Sequence, residues 1–142
     1  MNFTSQIATT REQSRKLLVL GLKPETADMY WCEDSLFVTD WSQTKLFQDY
    51  PPEDKTDEFY PGWSLSRLLE LLPKLIEHEN RPNANLDISS DGQYWFVSYE
   101  ELGYDLKHQE MKQDLFDAVI STIEWLVSEG KFNKEYTINN QQ

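Results

Sequence analysis

Three stretches of the chain carry apolar residues at helical spacing, and two or three others alternate in the manner of strands. The first helical stretch opens at Thr9, which has capping-box spacing to Glu12. Leu17, Leu18 and Leu20 follow, and Gly21 is placed to end the helix in a left-handed conformation. Leu22 can fold back on the last turn, and Pro24 bars continuation. The second helix takes Ser64 as N-cap and Leu65, Leu68, Leu69 and Leu72 as its apolar stripe, with Pro61–Gly62 leading in and Pro73 ending it. The third runs from Gln109 to Glu129. Leu115, Val119, Ile123 and Leu126 define its buried face, Phe116, Ile120 and Val127 widen it, and Gly130 stops it.

Strand signals are of two kinds. Ala27–Cys32 and Ser35–Trp41 are rich in Met, Tyr, Trp, Leu, Phe and Val, yet neither face of the second stretch is cleanly apolar. The clearer signal is a hairpin: Leu86–Ser89 and Gln93–Tyr99 flank Ser90–Asp91–Gly92, and Asp-Gly favours a type I′ turn. Gln48–Glu58, acidic and with two consecutive prolines, reads as a loop, and Pro82–Asn83 as a turn. After Gly130 a short extended piece precedes a polar tail.

Helices and strands that are mixed rather than alternating predict an α+β fold. The expected architecture is a small antiparallel sheet of three or four strands with two to three helices packed on one face, among them Trp63–Leu72 and the C-terminal helix. With 142 residues, one domain over 1–142 is the expectation, with flexible ends at 1–8 and 134–142.

Charge narrows the function. The chain has 13 basic and 25 acidic residues, a net charge of −12. Such a surface repels phosphate backbones and anionic membranes, so direct nucleic-acid and membrane binding are not expected. A basic protein partner suits it, and so does mimicry of a nucleic acid's charge; the bland reading is that the charge keeps the protein soluble. Cys32 is the single cysteine, which fits a reducing compartment. Residues 1–16 lack the basic-then-apolar pattern of a secretory signal, and no apolar run approaches a membrane span. The expected location is cytoplasmic.

Candidate chemistry is sparse. Cys32 has no family signature around it, and His78 and His108 lie in polar segments. One Cys and two His give no metal-ligand pair, and the acidic cluster Asp49, Glu53, Asp54 and Asp57 lacks EF-hand spacing and its glycine. No phosphate-binding glycine motif is present. Neither catalytic residue, metal nor cofactor is expected. The remaining feature is aromatic: Trp41, Phe47, Tyr50, Phe59 and Tyr60 surround the acidic, proline-bearing stretch, like an interface centre inside a polar rim. The competing reading has those rings tucked inside the fold.

Thr10–Leu22 (TREQSRKLLVLGL), Thr26–Met29 (TADM), Pro61–Lys74 (PGWSLSRLLELLPK) and Ile123–Gly130 (IEWLVSEG) occur in that order. They resemble an uncharacterised family of small acidic proteins encoded in phages and mobile elements of gut anaerobic bacteria. The resemblance spans most of residues 10–130 and brings no activity or binding residue with it. In that family a small residue usually stands where Gly62 does, and the segment 30–60 varies. The expectation is a non-enzymatic accessory protein that binds another protein. The alternatives are a small-molecule-binding domain or an enzyme whose site only the fold assembles, and an acidic nucleic-acid mimic.

Overall fold

The computed structural model describes residues 5–38, 59–80, 82–101 and 106–138. The chain divides into two compact units, one made of residues up to Leu68 together with those from Lys134 onward, the other of Leu69–Asn133. The fold is α+β, but in place of one sheet there are two, of three and four strands.

In the first unit, helix α1 (Arg11–Val19) is capped by Thr10 rather than Thr9. Thr10 Oγ1 accepts from Gln13 N at 3.1 Å and Gln13 Oε1 accepts from Thr10 N at 3.0 Å, so the capping box is Thr10–Gln13. The Thr9 hydroxyl is occupied elsewhere: it is buried, accepts from Trp63 N at 3.1 Å and shares a 2.7 Å hydrogen bond with Ser14. Gly21, at φ +101°, ends the helix as the sequence predicts. Leu22 N donates to Leu17 O at 3.1 Å and Gly21 N to Leu18 O at 3.0 Å, the paired bonds of a Schellman motif.

Strands β1 (Met29–Cys32), β2 (Ser35–Val38) and β3 (Phe59–Gly62) form an antiparallel sheet in the order β2-β1-β3. Glu33, at φ +56°, makes the tight turn between β1 and β2. The second strand is described as far as Val38; Trp41 and the Gln48–Glu58 loop lie outside the described residues. Pro61 and Gly62, expected to lead into a helix, instead complete β3, where an edge position tolerates a proline. Gly62 also permits a close approach, since a Cβ there would sit 3.1 Å from Trp31 Nε1.

Helix α2 (Leu65–Leu71) starts at Ser64, whose Oγ accepts from Arg67 N at 3.1 Å. Asp28 holds that serine, accepting from Ser64 N at 2.9 Å and from its hydroxyl at 2.5 Å. Ala8, in a stretch expected to fray, is 2% exposed and bridges to Ser64. Beyond the second unit a 3₁₀ turn at Lys134–Tyr136 precedes a bridge from Thr137 to Leu22.

In the second unit β4 (Leu75–Ile76), β5 (Ala84–Ser90), β6 (Trp95–Glu101) and β7 (Leu106–Lys112) form an antiparallel sheet in chain order. Helix α3 (Leu115–Ser128) packs on β6 and β7. Its buried face holds Phe116, Val119, Ile120, Ile123 and Leu126, and β6 contributes buried Val97 and Tyr99. Tyr99 donates from its hydroxyl to Pro73 O at 2.7 Å, so this large ring is buried without stranding its polar atom.

Two expectations are corrected here. The predicted helix from Gln109 is a strand as far as Lys112, and the helix begins only after Asp114, which caps it. Pairing with β6 supplies β7 with backbone partners that its polar sequence does not advertise. The β5–β6 hairpin is closed not by a two-residue type I′ turn but by the four residues between Ser90 and Trp95. Asp91 Oδ1 there accepts from Tyr94 N at 2.8 Å and Gln93 N at 2.9 Å, while Gly92 takes φ +96°. These amide donors, Tyr94 first, hold the Asp91 carboxyl below its usual range. Among the described residues no helix is long and apolar enough to cross a membrane.

Candidate functional site

Strand alternation sorts the first unit's sheet into two unlike faces. On one, Trp31 lies opposite Tyr60, and their rings stack with centroids 5.9 Å apart. Trp31 Nε1 donates to Thr9 O at 3.0 Å, and the Arg11 guanidinium lies 4.7 Å from the centre of the Tyr60 ring. Burial raises the Tyr60 pKa, and Arg11 opposes that rise. Tyr60 is 8% exposed, so the structure places this candidate in the packing of the unit.

The opposite face carries Tyr30, Phe37 and Phe59, one ring from each strand. Tyr30 sits directly across from Phe37, and Cys32 directly across from Phe59. The Tyr30 and Phe37 rings stack at 5.2 Å with an interplanar angle of 21°. Tyr30, Cys32 and Phe59 are half-buried, whereas Phe37 keeps 45% of its surface exposed. Val38, the next residue of β2 and on the other face, is 79% exposed. The structure therefore retains Phe59 from the expected interface and adds Tyr30 and Phe37. Trp41, Phe47 and Tyr50 lie outside the described residues.

Sequence reading passed over Tyr30 and Phe37 because no apolar periodicity marks them. Their signal is the cross-strand register, which the Glu33–Asp34 turn sets. Aromatic faces of this kind accept aliphatic groups and also cations, which the ring quadrupole attracts. Acidic residues are near at hand in the chain. Glu33 and Asp34 precede β2, and residues 39–58 hold Asp40, Asp49, Glu53, Asp54, Asp57 and Glu58 against Lys45 and Lys55.

The ionisable side chains form no comparable site. Cys32 belongs to the first unit and both histidines to the second. His108 stacks on Trp125 with centroids 4.1 Å apart and contacts Glu110 two residues along β7. His78 Nε2 lies 3.6 Å from Glu101 Oε2, with side-chain exposures of 11% and 2%. Among the described residues, no three His, Cys, Asp or Glu side chains gather closely enough to hold a metal ion. Compared with protein-family models, curated proteins and solved structures, the chain matches none.

Proposed function

We propose that this protein works by binding another protein, a basic one, through the Tyr30–Phe37–Phe59 face. The observation that carries the reading is Phe37, a large ring held in place by Tyr30 yet 45% exposed. Exposed aromatic surface loses hydrophobic free energy that burial against a partner recovers. Interface centres are enriched in such rings. The six acidic and two basic residues of the segment joining β2 to β3 favour a partner bearing Lys and Arg. The resemblance to proteins of phages and mobile elements fits an accessory role directed at a host protein, in the cytoplasm.

The test is comparative capture from a lysate of the native host, using three tagged baits: wild type, Phe37→Ser, and Met111→Ser on the second unit's sheet. Met111 is the control because it too is an exposed apolar residue, at 51%. The reading requires a partner that wild type and Met111→Ser retain, that Phe37→Ser loses, and whose retention weakens at high salt. A partner retained equally by all three baits places the interface elsewhere.

A further inference from the structure

Strand β2 is the edge of its sheet among the described residues. The two-residue turn makes Cys32–Ser35 a hydrogen-bonded closing pair. Alternation along the ladder makes Tyr30–Phe37 the next such pair, so Leu36 and Val38 direct their N–H and C=O groups away from β1. Natural edge strands are commonly blunted by lysine, proline or a bulge. Ser35–Leu36–Phe37–Val38 contains no charge and no proline, and its register with β1 is unbroken.

We infer that β2 is a strand-addition site, and that its occupant is an extended segment of a basic protein, with apolar residues alternating with Lys or Arg. This deepens the proposed function and rests on it. Backbone pairing with Leu36 and Val38 supplies register, Phe37 and Val38 meet the alternating side chains, and the acidic residues on either side of β2 in the chain attract the cations. Four residues offer few backbone bonds, so the charges must share the work and binding must weaken with salt. A second copy of this chain is disfavoured as occupant, because each copy carries −12.

The probe is a fluorescent peptide of alternating Lys and Val, roughly eight residues long, titrated by anisotropy. Three comparisons accompany it: the same peptide with Glu for Lys, the Lys–Val peptide N-methylated at alternate residues, and the Val38→Pro protein. Proline at 38 deletes an outward donor at an edge position that tolerates it, and the methylated peptide removes the bonds without altering the protein. Strand addition predicts binding of the Lys–Val peptide alone, weakened about tenfold by Val38→Pro and lost at about 0.5 M salt. Equal binding of the methylated peptide, equal binding of the Glu peptide, no binding by any of them, or a dimer of the free protein in sedimentation overturns it. A partner captured by wild type and by Val38→Pro but not by Phe37→Ser would leave the aromatic face intact as an interface and remove only strand addition.

Discussion

Tyr30 and Phe37, on neighbouring strands, stack ring on ring at 5.2 Å, and the outer of the two remains 45% exposed. The stack fixes the Phe37 ring in one orientation before any partner arrives, which lowers the entropy cost of docking. An exposed side chain with one well-ordered neighbour contributes little to folding. Phe37→Ser should therefore shift unfolding stability by less than about 1 kcal/mol. Chemical denaturation reads this directly. A larger loss would make Phe37 a structural residue, and the binding reading would lose its main support.

Buried polar atoms around Trp63 predict the opposite behaviour. Its Nε1 donates to Thr26 Oγ1 at 2.9 Å, and that hydroxyl donates to Lys23 O at 2.7 Å. Thr26→Val keeps the shape but leaves a buried indole N–H without its acceptor, which should cost about 1–3 kcal/mol. Denaturant midpoints of Thr26→Val and Thr26→Ser should differ, with serine close to wild type. Equal losses in the two variants would point to packing rather than hydrogen bonding.

Gly62→Ala tests a close approach. The added Cβ would meet Trp31 Nε1 at 3.1 Å and Cδ1 at 3.2 Å, so the indole must move off Thr9 O. A loss of about 1–3 kcal/mol is expected, with a change in Trp31 fluorescence. A variant as stable as wild type would show that the tryptophan shifts freely.

Alkaline pH addresses the second unit. Burial raises the Tyr99 pKa well above the ordinary tyrosine value, so the folded state holds the phenol proton more tightly than the unfolded chain. That stabilisation is complete below about pH 10 and is lost progressively as pH rises through the folded pKa. Tyr60, also raised by burial, acts in the same direction. Tyr99→Phe should lose about 1 kcal/mol at neutral pH, with the hydrogen bond to Pro73, and decline less steeply above pH 10. Parallel stability curves for the two proteins would deny Tyr99 its part in the alkaline loss.

How much of this was legible in the sequence follows from the range of the interactions involved. Local signals worked: Gly21 and Gly130 both take positive φ just beyond helix ends, and Ser64 caps α2. The register of the first cap slipped by one residue, because Thr9 serves Trp63, a partner 54 residues away that local spacing does not reveal. Strand β7 was hidden for the same reason. Its Lys107–Lys112 sequence suits a helix, and only pairing with β6 makes it a strand. Phe59 and Tyr60 show the limit most clearly. Adjacent in sequence and similar in chemistry, they fall on opposite faces of β3, one half-buried beside Cys32 and the other packed between Trp31 and Arg11. Parity decides between interface and interior, and parity is set by register with β1.

The most direct test of the binding reading is hydroxyl-radical footprinting of the wild-type protein, alone and in native-host lysate. Protection of Phe37 and Tyr30 in the lysate, with Met111 labelled equally in both conditions, is the predicted result. Unchanged labelling of Phe37 alongside protection of Met111 would contradict it and move the interface to the second unit's sheet.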